Sequence, residues 1–335
     1  MPRRLLTLGA VLGALLLLLA GGWWLAQRAA RPPAEPLVIA ANTEYVGVCA
    51  VLAAQQQGYF AAHGLQVKVL PNSSGKASMQ ALLDGRADVA TVADIPIVYA
   101  AINGQPVKVL ATVFRTGKDH GIVGRRDHGV ITPASLKGKR IGVTQGTSAH
   151  FTLDVFLNWQ RLDGRDVTMV NYQPEQLGEA LARGEVDAIA GWEPFLQASR
   201  KRLGQSAVSF SGEQAYESIY NLVAQGDYIR RHPVSVRHLL QALDEGSAYC
   251  EGHALEIARR LPATANLSRD EILLAWPSYH FGLELDQALL LALEDRARWA
   301  LRNRLVQGRD MPNFLDSIYL DGMAEVRPGA VSVIH

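Results

Sequence analysis

An internal repeat constrains the fold of this chain more than any other feature. The segments QALLDGRADVATVADIP (residues 80–96) and EALARGEVDAIAGWEP (residues 179–194) align at a constant offset. Each copy has the pattern of a helix end, a glycine turn, an aspartate, a short apolar strand and a carboxylate. Each also follows a strand and helix of its own, which predicts two similar α/β units. The period of about a hundred residues is too long for a solenoid, so it favours two lobes with a cleft between them. The residues that the alignment pairs are Gly85 with Gly184, Asp88 with Asp187, and Asp94 with Glu193.

The composition agrees with a bilobal protein. A chain of 335 residues with 48% hydrophobic residues has enough apolar surface for two cores. The formal net charge is +1, whereas nucleic-acid binders usually carry a basic stripe, so no nucleic-acid partner is expected.

The N-terminal region indicates export. Residues 5–26 carry no charge and are long enough to cross a bilayer, and Trp23 and Trp24 suit its far interface. This pattern favours a retained helix in the inner membrane. Ala20-Gly21-Gly22 leaves open a cleaved signal and secretion. We therefore expect a periplasmic protein, and residues 31–36 form a proline-rich linker.

The two cysteines, Cys49 and Cys250, are far apart and form no C-x-x-C motif. Zinc and redox motifs are therefore absent. Isolated cysteines are more often buried apolar residues than bridge partners. We favour that interpretation and leave a disulfide open.

The order of apolar runs and amphipathic stretches predicts the domain organisation. Strands are expected at residues 37–40, 67–70, 89–92, 140–143 and 220–224, and helices at 51–63, 233–261 and 269–307. Alternating strands and helices predict parallel sheets. The predicted domains are an anchor helix (1–30), the linker (31–36), the first part of lobe 1 (37–120), lobe 2 (121–215), and a return to lobe 1 with C-terminal helices (216–335).

Ligands of parallel sheets bind beyond the carboxyl ends of the strands. Polar and aromatic residues in the loops at those ends are therefore candidate ligand-binding residues, namely Glu44, Tyr45, Ser73, Ser74, Asp94, Thr147, Ser148, His150, Trp192 and Glu193. Each has a structural alternative. Thr147 or Ser148 is a suitable helix cap, Trp192 a core residue, and His150 a structural or solvated residue.

No motif for catalysis is present. The sequence lacks G-x-S-x-G, H-E-x-x-H, G-x-x-x-x-G-K-[ST] and a post-strand G-x-G-x-x-G, and the histidines form no metal spacing. We expect no cofactor, no metal and no catalytic residues. The alternative is an enzyme in which Asp94 or Glu193 acts as a general base.

Four segments carry a family resemblance: LAAQQQGYFAAHGLQVKV, ALLDGRADVATVADIP, LKGKRIGVTQGTSAHF and ALARGEVDAIAGWEPFL. Together they make residues 37–197 similar to substrate-binding proteins of the nitrate/sulfonate/taurine ABC importers, a group that includes thiamine-pyrimidine-precursor relatives. The resemblance implies a type II periplasmic-binding-protein fold, with two parallel-sheet lobes that close on a ligand by a hinge motion. It also implies an ABC permease and ATPase as partners.

The same resemblance implies roles for particular residues. The N–H groups of Ser148 and Ala149 would hold a sulfonate- or carboxylate-like group, and Trp192 would cover the ligand. The other end of the ligand would contact four side chains, those of Glu44, Tyr45, Asp94 and Glu193. Three cleft carboxylates disfavour a bare multivalent anion and favour an aminosulfonate or a pyrimidine-like heterocycle.

Two other functions stay open. One is a small-molecule-processing enzyme on the same scaffold. Pyrimidine synthases of this fold use a cysteine-rich motif and a reactive histidine, which the isolated Cys49 and Cys250 do not match. The other is the sensory subunit of a membrane signalling complex.

Overall fold

In the computed structural model, which describes residues 34–260 and 269–334, the strands form two separate β-sheets. The first sheet has the strand order β11-β4-β10-β3-β1-β2 and the second the order β7-β6-β8-β5-β9. In chain order the strands are β1 (Glu35–Asn42), β2 (Leu65–Asn72), β3 (Val89–Ala93), β4 (Val107–Thr116), β5 (His120–Arg125), β6 (Arg140–Val143), β7 (Thr168–Asn171), β8 (Ala188–Trp192), β9 (Ala207–Ser211), β10 (Ser218–Gln225) and β11 (His280–Glu284).

Helices flank both sheets. The α-helices are α1 (Cys49–Gln57), α2 (Tyr59–Ala62), α3 (Gly75–Leu83), α4 (Asp94–Ile102), α5 (Ser148–Trp159), α6 (Pro174–Ala182), α7 (Phe195–Leu203), α8 (Gly226–Arg231), α9 (Pro233–Gly252), α10 (Ala254–Arg260), α11 (Arg269–Ala275), α12 (Gln287–Arg302) and α13 (Leu320–Val326). Short 3-10 helices span Val46–Val48, Arg126–His128, Pro133–Leu136, Gly204–Ser206, Trp276–Ser278, Phe314–Ser317 and Pro328–Ala330.

Both sheets are mixed, so the prediction of purely parallel sheets is wrong. Strand β1 pairs in parallel with β3, and β6 pairs in parallel with β7 and β8. In contrast, β10 is antiparallel to β3 and β4, and β5 is antiparallel to β8 and β9. The reason is that β5 and β10 each follow a short crossover from the other sheet. A strand that enters its sheet from the cleft side runs opposite to strands whose carboxyl ends face the cleft.

Two of the predicted helical regions also differ from the helices in the structure. The region predicted as one helix over 51–63 contains two helices, because Gly58 adopts φ +77° and ends α1. The region 269–307 is interrupted by β11, which pairs antiparallel with β4. The predicted strand at 220–224 is confirmed as part of β10 in the first sheet.

The internal repeat has the same geometry in both sheets. Asp88 accepts a hydrogen bond from the N–H of Val38 (2.8 Å), and Asp187 accepts one from the N–H of Arg140 (2.9 Å). Each aspartate therefore ties the start of its own strand to the neighbouring parallel strand. The two aspartates therefore have the same structural role in both units of the repeat.

Two crossovers connect the sheets. Residues 117–119 lead from β4 to β5, and residues 212–217 lead from β9 to β10. Because both crossovers lie on the cleft side, they place Asp119 next to Ser218, the first residue of β10.

The predicted anchor at residues 5–26 lies outside the described residues. Within residues 34–260 and 269–334, no helix combines the length and the apolar character needed to cross a bilayer.

Cys49 and Cys250 form a disulfide, so the interpretation of two unpaired cysteines is wrong. Their Cα atoms are 6.2 Å apart, although 201 residues separate them in sequence, and both side chains are buried. The bond joins α1 to α9, which pack against each other on the first sheet. Sequence spacing gives no sign of this contact, because it arises from the return of the C-terminal part of the chain to the first sheet.

We expect the disulfide to contribute strongly to stability, because it closes a long loop in the unfolded chain. Replacing both Cys49 and Cys250 with serine should lower the free energy of unfolding by about 2–5 kcal/mol. Equilibrium urea unfolding measures this change. As a control, dithiothreitol should lower the midpoint of the wild-type protein and leave that of the double variant unchanged. An unchanged wild-type midpoint would contradict the prediction.

Candidate functional site

A cavity of about 30 Å³ lies between the two sheets, which is room for a water molecule or two. Both sheets contribute to its walls. The residues that line it are Asn42, Tyr45, Ser74, Gly75, Lys76, Ala93, Pro96, His120, Thr147, Ser148, Trp192 and Tyr220. The walls are therefore close together, and admission of a larger molecule requires the two sides to move apart.

The amino-terminal ends of three helices meet at this cavity. They are those of α3, α4 and α5, which begin at Gly75, Asp94 and Ser148. Helix amino termini carry partial positive charge and exposed N–H groups, so they attract anions. Gly75 permits the close approach of α3 to β3, since a Cβ atom there would lie 3.1 Å from the backbone of Val92.

The start of α5 is not capped by a side chain. The hydroxyl of Thr147, the preceding residue, instead donates to the carbonyl of Thr144 (2.6 Å). Within the described part of the chain, the N–H groups of Ser148 and Ala149 have no hydrogen-bond acceptor. The structure therefore does not support the alternative that Thr147 caps this helix, and it leaves two donors at the helix start.

Lys76 is the one Lys, Arg, Asp or Glu side chain in the cavity lining. Its Nζ donates to the carbonyl of Gln145 (2.8 Å), which links α3 of the first sheet to the loop before α5. Partial burial lowers the pKa of Lys76. Its ammonium group adds positive charge to that of the helix ends.

The carboxylate of Asp119 is the centre of a buried hydrogen-bond network. It accepts hydrogen bonds from the hydroxyl of Tyr45 (2.5 Å) and from the hydroxyl of Ser218 (2.9 Å). It is also 2.7 Å from Nδ1 of His120. Burial alone would raise the pKa of Asp119, but His120 and the donated hydrogen bonds hold it below its usual range. Asp119 is therefore ionised, and its negative charge is distributed over three donors.

His120 connects this network to the cavity. Its Nε2 is 2.8 Å from the hydroxyl oxygen of Ser148, and its ring lies edge-on against Tyr216. Ionised Asp119 is an acceptor only, so Nδ1 of His120 carries a proton and donates it. Burial, and then the charge of Asp119, raise the pKa of Tyr45 well above its ordinary value, so that hydroxyl stays protonated and donates as well.

The predicted carboxylates have other partners. Asp94 is fully buried, where it accepts hydrogen bonds from Arg296 (2.9 Å) and from the hydroxyl of Tyr216 (2.8 Å). Glu193 pairs with Arg200 and accepts a hydrogen bond from the N–H of Gln197 (2.9 Å). Burial raises the pKa of Glu193, and Arg200 opposes that rise. Neither carboxylate lines the cavity.

His150 belongs to a contact between α5 and α12. Its ring lies edge-on against Trp299, whose indole N–H donates to Asp154 (2.9 Å). Burial lowers the pKa of His150, against the opposing effect of Asp154. The contact joins the second sheet's α5 to a helix that packs on the first.

Five of the eleven predicted ligand-binding residues line the cavity: Tyr45, Ser74, Thr147, Ser148 and Trp192. The other six lie outside its lining: Glu44, Ser73, Asp94, Ala149, His150 and Glu193. Burial, followed by the charge of Glu175, raises the pKa of Glu44. A role of these residues in binding stays a prediction. Lys76, His120 and Tyr220 also line the cavity and were not predicted from the sequence. Of these, Lys76 lies two residues after the predicted Ser74, so continuing the same loop to residue 76 would have found it.

Comparison with known proteins identifies the family. Residues 46–256 match the family model described as NMT1/THI5 like. The chain belongs to this family. The match confirms the resemblance drawn from the sequence, since members of the predicted importer group are among its relatives and structural neighbours.

The individual relatives are distant. The chain is 27% identical over 214 residues to a Bacillus subtilis (strain 168) protein whose name gives it as an aliphatic sulfonates-binding protein, covering 62% of this chain and 64% of that one. It is 26% identical over 181 residues to the taurine-binding periplasmic protein of Escherichia coli (strain K12), covering 52% and 55%. The matched part thus spans less than two thirds of either relative.

A solved structure supports the fold over nearly the whole chain. The alkanesulfonate-binding protein SsuA from Xanthomonas axonopodis pv. citri bound to MOPS superposes with a TM-score of 0.74. The match covers 87% of this chain and 99% of that one at 22% identity. This confirms the α/β periplasmic-binding-protein fold, with two mixed sheets in place of parallel ones.

We predict that the Asp119 network stabilises the fold. Tyr45→Phe removes a buried donor to an ionised carboxylate and should lower the free energy of unfolding by about 1.5–3 kcal/mol. Tyr59→Phe, on α2 and away from the network, is the matched control and should have little effect. Urea unfolding of both variants provides the measurement. Equal effects of the two substitutions would contradict the assignment.

Proposed function

We propose that this chain is an exported solute-binding protein that encloses a small organic anion between two lobes and delivers it to an ABC importer. The observation that carries the proposal is the cavity itself. Three helix amino termini and the ammonium group of Lys76 meet there, and the lining contains no carboxylate. Such a lining favours a negatively charged group by electrostatics and by hydrogen bonding.

The charge of the lining bears on the ligand class. The sequence-based preference for a zwitterion or heterocycle rested on unpaired carboxylates in the cleft. Asp94 and Glu193 are instead neutralised by Arg296 and Arg200. We therefore propose a ligand with one anionic head, in the first place a sulfonate. The names of the sulfonate- and taurine-binding relatives support this class.

The organic part of the ligand would lie against aromatic side chains. Trp192 lines the cavity while it is 5% exposed, and its ring makes an edge contact with Phe195. Tyr45 and Tyr220 line the same space, with ring centroids 4.9 Å apart. An apolar lining with a few polar groups is typical of small-molecule pockets.

Closure of the cleft would bring the two lobes into contact around the ligand. We assign lobe 1 to residues 37–120 and 216–335 and lobe 2 to residues 121–215, connected by the two crossovers. The hydrogen bonds from Lys76 to Gln145 and from Trp299 to Asp154 join elements of different lobes. We propose that these contacts form on closure and break on opening.

The place of action would be outside the cytoplasm. The disulfide between Cys49 and Cys250 fits an oxidising compartment. The E. coli relative is named as periplasmic. The apolar residues 5–26 would act as the export signal or as an anchor in the inner membrane. Permease and ATPase subunits of an importer are the proposed partners.

A thermal-shift screen tests the proposed ligand class. The library should contain alkanesulfonates, taurine, nitrate, amino acids, pyrimidines and polyamines. A ligand at a hundred times its Kd stabilises the folded protein by about 2.7 kcal/mol, which shifts the melting temperature visibly. We expect a sulfonate to give the largest shift. A shift produced by polyamines alone would contradict the proposal.

Lys76 should be important for the affinity of the protein for a sulfonate. Lys76→Met removes a cation from the cavity and should weaken the binding of a sulfonate about 10- to 100-fold, the value of a hydrogen bond to a charged group. Lys137→Met is the matched control, because that lysine is exposed and pairs with Asp166 far from the cavity lining. Isothermal titration calorimetry measures both affinities. If the two variants bound equally well, Lys76 would have no role in recognition.

A further inference from the structure

The cavity contains an arrangement that anion binding does not require. Ser148, His120 and Asp119 are joined in series by two short hydrogen bonds. The Ser148 hydroxyl oxygen is 2.8 Å from Nε2 of His120, and Nδ1 of His120 is 2.7 Å from Asp119. Both Ser148 and His120 line the cavity in which a ligand would lie.

The partners of Asp119 show which ring nitrogen of His120 carries the proton in the bond between them. Asp119 accepts hydrogen bonds from Tyr45 and Ser218, and its remaining interaction is with Nδ1 of His120. Since an ionised carboxylate has no proton to donate, its hydrogen bond with His120 needs a proton on Nδ1. In the neutral form of the ring, the lone pair is then on Nε2, which can accept the hydroxyl proton of Ser148. This is the arrangement in which a histidine can remove the proton of a serine during nucleophilic attack.

The surroundings of Ser148 suit the charge that develops in such an attack. Ser148 is the first residue of α5, and the N–H groups of Ser148 and Ala149 have no acceptor in the described part of the chain. Lys76 lines the same cavity. A tetrahedral oxyanion formed at Ser148 would lie near these N–H groups and this cation, which stabilise negative charge.

We propose that Ser148 is a nucleophile that transfers the acyl group of small carboxylic esters to water, with His120 as its general base and Asp119 as a positioning residue. In the first step the Ser148 oxygen bonds to the acyl carbon, and His120 takes the hydroxyl proton. The bond to the leaving alcohol breaks, and the alcohol leaves with that proton. Water then attacks the acyl-serine, gives a proton to His120, and the proton returns to Ser148 as the acid departs.

This activity goes beyond the proposed binding function and does not depend on it. A chain that binds no sulfonate can still be acylated at Ser148, and a sulfonate-binding chain can fail to be acylated. The cavity admits an ester only when its walls separate, as they must for any ligand.

Acetylation by p-nitrophenyl acetate tests the proposal on the full chain. Peptide mapping by mass spectrometry after acid quenching should locate one acetyl group on Ser148. The rate of acetylation at this position should exceed that of an ordinary serine by about 10²- to 10⁴-fold. Ser148→Ala should abolish this product. Ser209→Ala, which changes an exposed serine on β9, is the matched control and should retain it.

Two further variants separate the roles of the other residues. His120→Gln keeps a polar side chain without a base and should slow acetylation by about 10²- to 10⁴-fold. Asp119→Asn replaces the carboxylate that faces Nδ1 of His120 with an amide, whose NH2 group can donate to that nitrogen. The imidazole proton should therefore move from Nδ1 to Nε2. The ¹⁵N chemical shifts of the imidazole report this change of tautomer, and a thermal melt confirms that the variant is folded. Acetylation should fall together with the change of tautomer.

The wild-type protein alone decides the outcome if the variants fail to fold. Absence of acetyl-Ser148 after long incubation would overturn the proposal. Acetylation confined to lysines would also overturn it, as would acetylation of Ser148 at an unchanged rate in folded His120→Gln.

Discussion

The buried carboxylate of Asp119 is the interaction on which the organisation of the site depends. It lies in the first crossover, accepts a hydrogen bond from Ser218, the first residue of β10 after the second crossover, and accepts another from Tyr45 beyond β1. A buried charge is costly unless it is hydrogen-bonded, so these donors stabilise the fold around it. The same carboxylate orients His120 and, through it, Ser148. One charge therefore joins both crossovers to the wall of the cavity.

The electrostatics of the cavity follow from how the other charges are paired. Asp94 is at the start of α4, where a carboxylate would reduce the positive charge of the helix end, but Arg296 and Tyr216 engage both of its oxygens. Lys76 has no carboxylate partner in the described residues and contacts the Gln145 carbonyl. The balance at the cavity is therefore positive. This is the physical basis for a ligand with one anionic head.

The features that depend on local sequence pattern could be predicted from the sequence. The repeat gave the two equivalent aspartates, Asp88 and Asp187, and the carboxyl-end rule gave five residues of the cavity lining. Contacts between residues that are distant in sequence could not be predicted. Cys49 pairs with Cys250, and Asp94 pairs with Arg296, because the C-terminal part of the chain returns to the first sheet. His120 lies at the start of a strand that enters from a crossover, which a rule about strand ends does not select.

A crystal structure of the protein with a saturating alkanesulfonate tests the central claim most directly. The account predicts that the sulfonate lies between the two sheets, with its oxygens accepting hydrogen bonds from the N–H of Ser148 and from Lys76. It also predicts that the organic part packs against Trp192. A sulfonate bound outside the cavity, or held by a different set of cations with Lys76 still bonded to Gln145 alone, would contradict it.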